Sequence, residues 1–151
     1  MRKIAILTVA LSCAVSHLIF SDQKIDARAW QVVEKFDPAS LSNTLSNQIG
    51  KTIAVRFNFR GKSIHHIKPN WYEGSLWQPD PNARKGFSSV RVTVAKKDLD
   101  AFKTIPADST SPGRLTVYGR VEHDPENNFY FVHLFGRKAA VDSTGNANVT
   151  W

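Results

Sequence analysis

The chain has 151 residues and carries 20 Lys and Arg against 13 Asp and Glu, a net charge of +7, with a single Cys. That length is enough for one domain to bury its own core without staples. One Cys excludes a disulfide scaffold, and the modest positive charge favours anionic partners only mildly.

Arg2 and Lys3 open the chain, an apolar stretch runs from Ile4 to Val15, and small residues follow at Ala14, Ser16 and Ser21. This is the layout of a secretory signal peptide, expected over residues 1–21, and each of the three small residues is a candidate cleavage point. The apolar run to Phe20 is interrupted by Ser12, Ser16 and His17. It falls short of the ~20 residues of a spanning helix, so no stable membrane span is expected after cleavage. Ala10-Leu11-Ser12 is a poor lead-in for lipidation of Cys13. Cleavage removes that Cys together with Arg2 and Lys3, leaving about 130 residues with 18 basic against 13 acidic, a net +5. A periplasmic or secreted location is expected, and a reactive-thiol enzyme is excluded.

Residues 22–49 read as a helical lead-in. Ile25, Ala29, Val32, Val33 and Phe36 recur at helical spacing. Asp37-Pro38 then marks a stop and restart, with Asp37 as N-cap and Pro38 as the first helical residue. Leu41, Leu45 and Ile49 continue the apolar stripe, and Gly50 suits a C-terminal cap. From Lys51 the period changes to two. Ile53, Val55, Phe57 and Phe59 share one face of a strand, and Ala54, Arg56 and Asn58 the other. Gly61 is a place for that strand to bend, and SIHHI extends it to Ile67.

The stretch HHIKPNWYEGSLWQPDPNARKGF, residues 65–87, holds three prolines among two Trp, one Tyr and two His. It reads as a long connection in which only SLWQ has the pattern of a strand. Two readings stand, a loop folded onto its own core or a ligand loop. FSSVRVTVAK resumes alternation, with Val90, Val92 and Val94 inward. Asp98 is placed as N-cap of a short helix whose Leu99, Phe102 and Ile105 share a face, ended by Pro106. RLTVYGRVEHD is a strand, DPEN a hairpin turn, and NFYFVHLFGRKAAVD the last strand. Phe129, Phe131, His133 and Phe135 lie on one face of that strand and Tyr130, Val132 and Leu134 on the other, so both faces should be covered. Residues 143–151 lack periodicity and read as a flexible tail.

GKTIAVRF, VRVTVAKKDLDAF and GRLTVYGRVEHDPENNFYFVHL, in that order, resemble the OB-fold, a small five-stranded β-barrel with a helix between its third and fourth strands. The resemblance spans residues 50–142, with Gly119 where close packing favours a glycine. The expected fold is therefore mainly β, an OB-like barrel behind a helical N-terminal segment. It implies binding across the first three strands, flanked by the loop between strands one and two and the loop between strands four and five. On this chain that face carries Arg56, Asn58, Arg91 and Thr93, with a first loop around Lys68 to Tyr72 and a second at His123 to Asn128. Trp71, Tyr72 and Trp77 are the candidates to stack on rings, while Arg56, Lys68 and Arg91 hold anionic groups. Glu122, Asp124 and Glu126 make the second loop acidic, which a polyphosphate would not favour.

His65 and His66 are neighbours on a strand and point to opposite faces, and His123 with Asp124 provides only two ligands, so no metal site is expected. No nucleophile has an evident base, and no phosphate loop or nucleotide fingerprint is present. The expectation is a monomeric binding module with no cofactor and no enzymatic activity, taking an anionic oligomer such as single-stranded nucleic acid or an acidic glycan. The alternative is a cell-envelope protein-interaction domain.

Overall fold

Alternation of large apolar with polar residues makes each strand half-buried, and half-buried strands need a curved sheet to close on. The computed structural model describes residues 25–26, 35–67, 69, 71–141, 143 and 146–151. In chain order it has the two-residue strands β1 (Ile25–Asp26) and β2 (Lys35–Phe36), helix α1 (Pro38–Leu41), and strands β3 (Thr52–Ile67), β4 (Trp71–Pro79) and β5 (Phe87–Ala95). Helix α2 (Leu99–Lys103) follows, then β6 (Asp108–Asp124), β7 (Phe129–Gly136), β8 (Lys138–Val141) and β9 (Asn146–Thr150).

β3 is the common member of the sheet. Its first half pairs antiparallel with β6, from Thr52 opposite Arg120 to Gly61 opposite Asp108. Its second half pairs antiparallel with β4, from Gly61 opposite Trp77 to Ile67 opposite Tyr72. β4 continues to β5, β5 runs parallel to β7, and β7 returns antiparallel to β6, which closes the sheet. This strand order, with the short helix between the third and fourth barrel strands, is a small OB-like β-barrel.

The inward faces supply the core. Val55, Phe57, Leu76, Val92, Val117, Val121, Val132 and Leu134 are fully buried, each contributing about 1.5–3 kcal/mol over leaving it in water. Phe102 of α2 joins them as a plug. The Lys62 ammonium lies 5.0 Å from that ring and donates to the carbonyls of Phe102 and Lys103 at 2.7 and 2.8 Å, so it caps the helix's C-terminal end. Asp98 stands at the helix start as expected but makes no side-chain capping bond.

Several expectations are corrected. In the lead-in, Asp37 caps the Ala39 N–H at 2.8 Å with Pro38 following, as read, but α1 is only four residues and is succeeded by a 3-10 turn at Leu45–Gln48. Ile25–Asp26 and Lys35–Phe36 are extended instead of helical. β2 lies parallel on Ala54 and Val55 and supplies hydrogen bonds to the edge of β3 that β4 leaves open. Backbone pairing there outweighs a local helical pattern. The expected signal peptide, and the rest of the expected helix over 22–34, fall outside the described residues. The region 65–87 is not a long loop: most of it is the end of β3, the whole of β4 and a turn at residues 80–86. The last strand breaks at Arg137, whose N–H donates to the Thr150 carbonyl at 2.7 Å, because β9 crosses at Gly136. Residues 146–150, expected as tail, are β9, paired with β8 and with β1 in a separate three-stranded sheet. Among the described residues no helix is long and apolar enough to cross a membrane.

Candidate ligand-binding face

Alternation fixes what β4 shows outside. Gly74, Leu76 and Gln78 are buried, so Trp71, Glu73, Ser75 and Trp77 stand on the outer surface, each half-buried. Cross-strand register carries the same surface onto the neighbours. Ser75 lies between Ser63 of β3 and Arg91 of β5, and Glu73 lies opposite Thr93, which is itself opposite His133 of β7. The outer residues of β3, β4, β5 and β7 therefore form one continuous face.

At one end of this face aromatic rings gather, one pair stacked and one tilted. Trp71 lies on Phe131, centroids 6.1 Å apart and planes at 17°, and Phe131 meets Phe129 at 5.7 Å. The Arg91 guanidinium lies 4.1 Å from the centre of Phe129, a geometry that fixes the cation while leaving its N–H fork for a ligand. Beneath this cluster His133 is buried, sharing a 2.9 Å hydrogen bond between its Nδ1 and the Thr93 hydroxyl. Burial pushes the imidazole below its ordinary range, with Glu122 opposing that shift and Arg120 adding to it. Arg120 and Glu122 pair at 2.9 Å beside it. His133 thus supports the platform as a neutral group.

A second ring pair stands at the other end. Trp77 meets Phe87 at 5.9 Å, and Phe87 is 41% exposed. Trp77 lies over Gly61, where a Cβ would come within 2.3 Å of the indole; only a glycine lets the ring lie flat on the strand. The turn that follows is ordered by Asp80, whose carboxylate accepts from the Asn82 N–H at 2.9 Å and from the Ser88 hydroxyl. The Ser88 bond holds the Asp80 carboxyl below its usual range. This turn presents Arg84 and Lys85 to solvent. Between the two ring pairs the surface is polar. His65 Nε2 lies 2.9 Å from the Ser75 hydroxyl and 3.0 Å from that of Ser63.

Of the residues singled out from sequence, Trp71, Trp77 and Arg91 share this face. Arg56 and Asn58 are exposed, but on the first half of β3, opposite Thr116 and Arg114 of β6 and outside the ring-lined surface. Tyr72 is on the opposite side of β4 from Trp71 and Trp77. Lys68 lies outside the described residues. Phe129, Phe131 and Phe87 were not candidates. The row Phe129, Phe131, His133, Phe135 is visible in the sequence, yet only the parallel pairing of β5 with β7 brings it beside Arg91. The acidic hairpin is internally satisfied in part: Asp124 accepts from the N–H groups of Glu126 and Asn127, and His123 stacks on Tyr130 at 4.6 Å.

No protein-family model matches the chain, and no curated protein matches it. Among solved structures it is similar to one described as the structure of RecG bound to a three-way DNA junction, with 12% identity and a TM-score of 0.42 over 68% of this chain. The chain corresponds to 12% of the length of that protein. A likeness this low says nothing about what the present chain binds; the OB-like assignment rests on the strand order.

Proposed function

We propose that the protein is an exported binding module whose outer β3–β4–β5–β7 face takes an anionic oligomer built from ring units, either a single-stranded nucleic acid or an acidic glycan. The observation that carries this reading is the joined cluster of Trp71, Phe131, Phe129 and Arg91: Trp71 stacked on the buried Phe131, a tilted Phe131–Phe129 pair and a guanidinium fixed over Phe129. An aromatic face takes a planar base or the C–H face of a sugar ring, and the guanidinium selects for negative charge. Export is supported by the leader-like pattern of residues 1–21. A role as a protein-docking domain is the second reading, favoured by the exposure of Phe87 at 41% and Ile64 at 40%.

Tryptophan fluorescence, titrated with a short single-stranded DNA and with an acidic glycan at two salt concentrations, tests the proposal. The expected result is a saturable change with at least one probe, weaker at high salt. Trp71→Ala should reduce that affinity about tenfold, within the range of one lost ring stack, while the thermal melt stays cooperative. Flat titrations with both probes would rule out the oligomer face and direct attention to cell-envelope protein partners.

A further inference from the structure

The two ring pairs sit at opposite ends of one strand. Trp71 and Trp77 are six positions apart on the same side of β4, which at about 3.3 Å per residue separates them by about 20 Å. A ligand that touches both is an extended chain. What lies between them discriminates among chains. Glu73 and Ser75 fill the gap on β4, and Ser63 and His65 flank it on β3. One imidazole nitrogen stands within hydrogen-bond distance of both serine hydroxyls. It cannot satisfy the two fully, so donor and acceptor capacity faces solvent there.

Among the described residues, charge is sparse on this floor. Arg91 is the cation on β5, opposite Ser75 and one outward position along from Thr93, which is opposite Glu73, and Arg84 and Lys85 stand at the far turn. A stacked nucleic-acid strand carries one phosphate per about 3.4 Å, hence about six negative charges over the same 20 Å. Such a strand would bring far more charge than this face neutralises and would lay part of it against Glu73. A glycan bearing a carboxylate only on some of its rings matches better. Its ring faces stack on Trp71 and Trp77, its hydroxyls exchange hydrogen bonds with the Ser63, Ser75 and His65 groups, and a carboxylate meets the fixed fork of Arg91.

We infer that the occupant of this face is an extended acidic glycan, held by ring stacking at both ends and by hydroxyl and imidazole groups between them. This rests on the binding-module reading above and narrows it. The test is a fluorescence titration of the purified protein with two- to eight-unit oligosaccharides of alternating glucuronate and N-acetylglucosamine, in which every second ring is a uronate, and with an eight-nucleotide oligothymidylate. The eight-unit uronate should bind at least about tenfold tighter than the two-unit one and than the oligothymidylate. Trp71→Ala and Trp77→Ala should each erase most of the gain from length, and His65→Ala should weaken the long uronate several-fold. If Trp77→Ala disrupts folding, Phe87→Ala probes the same end through a solvent-exposed ring. Tighter binding of the oligothymidylate would overturn the glycan inference and leave the oligomer face standing. Uronate binding that is independent of length would overturn the two-ended arrangement. Failure of every probe would remove the binding-module reading with it.

Discussion

Two single residues set how the face responds to charge and acidity. Glu73 stands among the ligand-facing side chains with the wrong sign for an anion. Glu73→Gln should therefore tighten binding of an acidic oligomer two- to fivefold at low salt, with the advantage fading as salt rises, as expected for a charge in partial contact with solvent; titrations at two ionic strengths read this directly. His133 is 4% exposed, and burial holds its folded-state value below the unfolded one. The unfolded chain therefore binds more protons at mildly acid pH. Stability is full at neutral pH and declines as pH falls through the unfolded value of about 6.5 towards the lower folded one. Melting temperatures between pH 7.5 and pH 5 should trace that decline, and His133→Gln, which keeps a partner for Thr93, should flatten part of it. An unchanged slope in the variant would assign the acid sensitivity to carboxylates instead.

Among the elements, the stretch of β3 at Gly61, where its register with β6 shifts, is where sequence and face meet most directly. Gly61 leaves room for the Trp77 indole on one side and the Ala107 carbonyl, 2.9 Å from where a Cβ would be, on the other. Gly61→Ala should cost about 1–3 kcal/mol, an overpacking penalty, and should shift Trp emission as the indole lifts; chemical denaturation followed by fluorescence measures both. Gly119, where a Cβ would meet the His133 carbonyl at 2.4 Å, has the same reason to be glycine. Which elements could be read from sequence follows from their surroundings. β3, β5 and β6 are apolar on one face only, so alternation gives them away. β4 carries Trp71 and Trp77 outside and Tyr72 and Leu76 on the other side, with Gly74 between, and that pattern reads as aromatic loop. β1, β2 and β9 exist because of partners far along the chain, which no local periodicity encodes. The same limit applied to the site: Trp71, Trp77 and Arg91 were recognisable by residue type, whereas Phe131 and Phe129 joined them only through the β5–β7 pairing.

At the scale of the whole molecule, the plug of the barrel links its closing elements. Phe102 meets Trp151 edge-on at 6.1 Å, so the last residue of the chain packs against the helix between the third and fourth barrel strands. The Trp151 Nε1 is buried and finds no hydrogen-bond partner among the described residues. Trp151→Ala should cost about 2–3 kcal/mol through the lost ring contact. Trp151→Phe keeps an aromatic ring and removes the orphan donor, so it should fall within about 1 kcal/mol of the parent. Thermal denaturation of the pair separates packing from polarity.

The closure of the barrel also governs time. Thr52 must find Arg120, and Val92 must find Val132, before the sheet can shut, and such distant pairings place a chain among the slower-folding small domains. For a chain exported as proposed, slow closure would lengthen the time it stays an open thread before the barrel shuts.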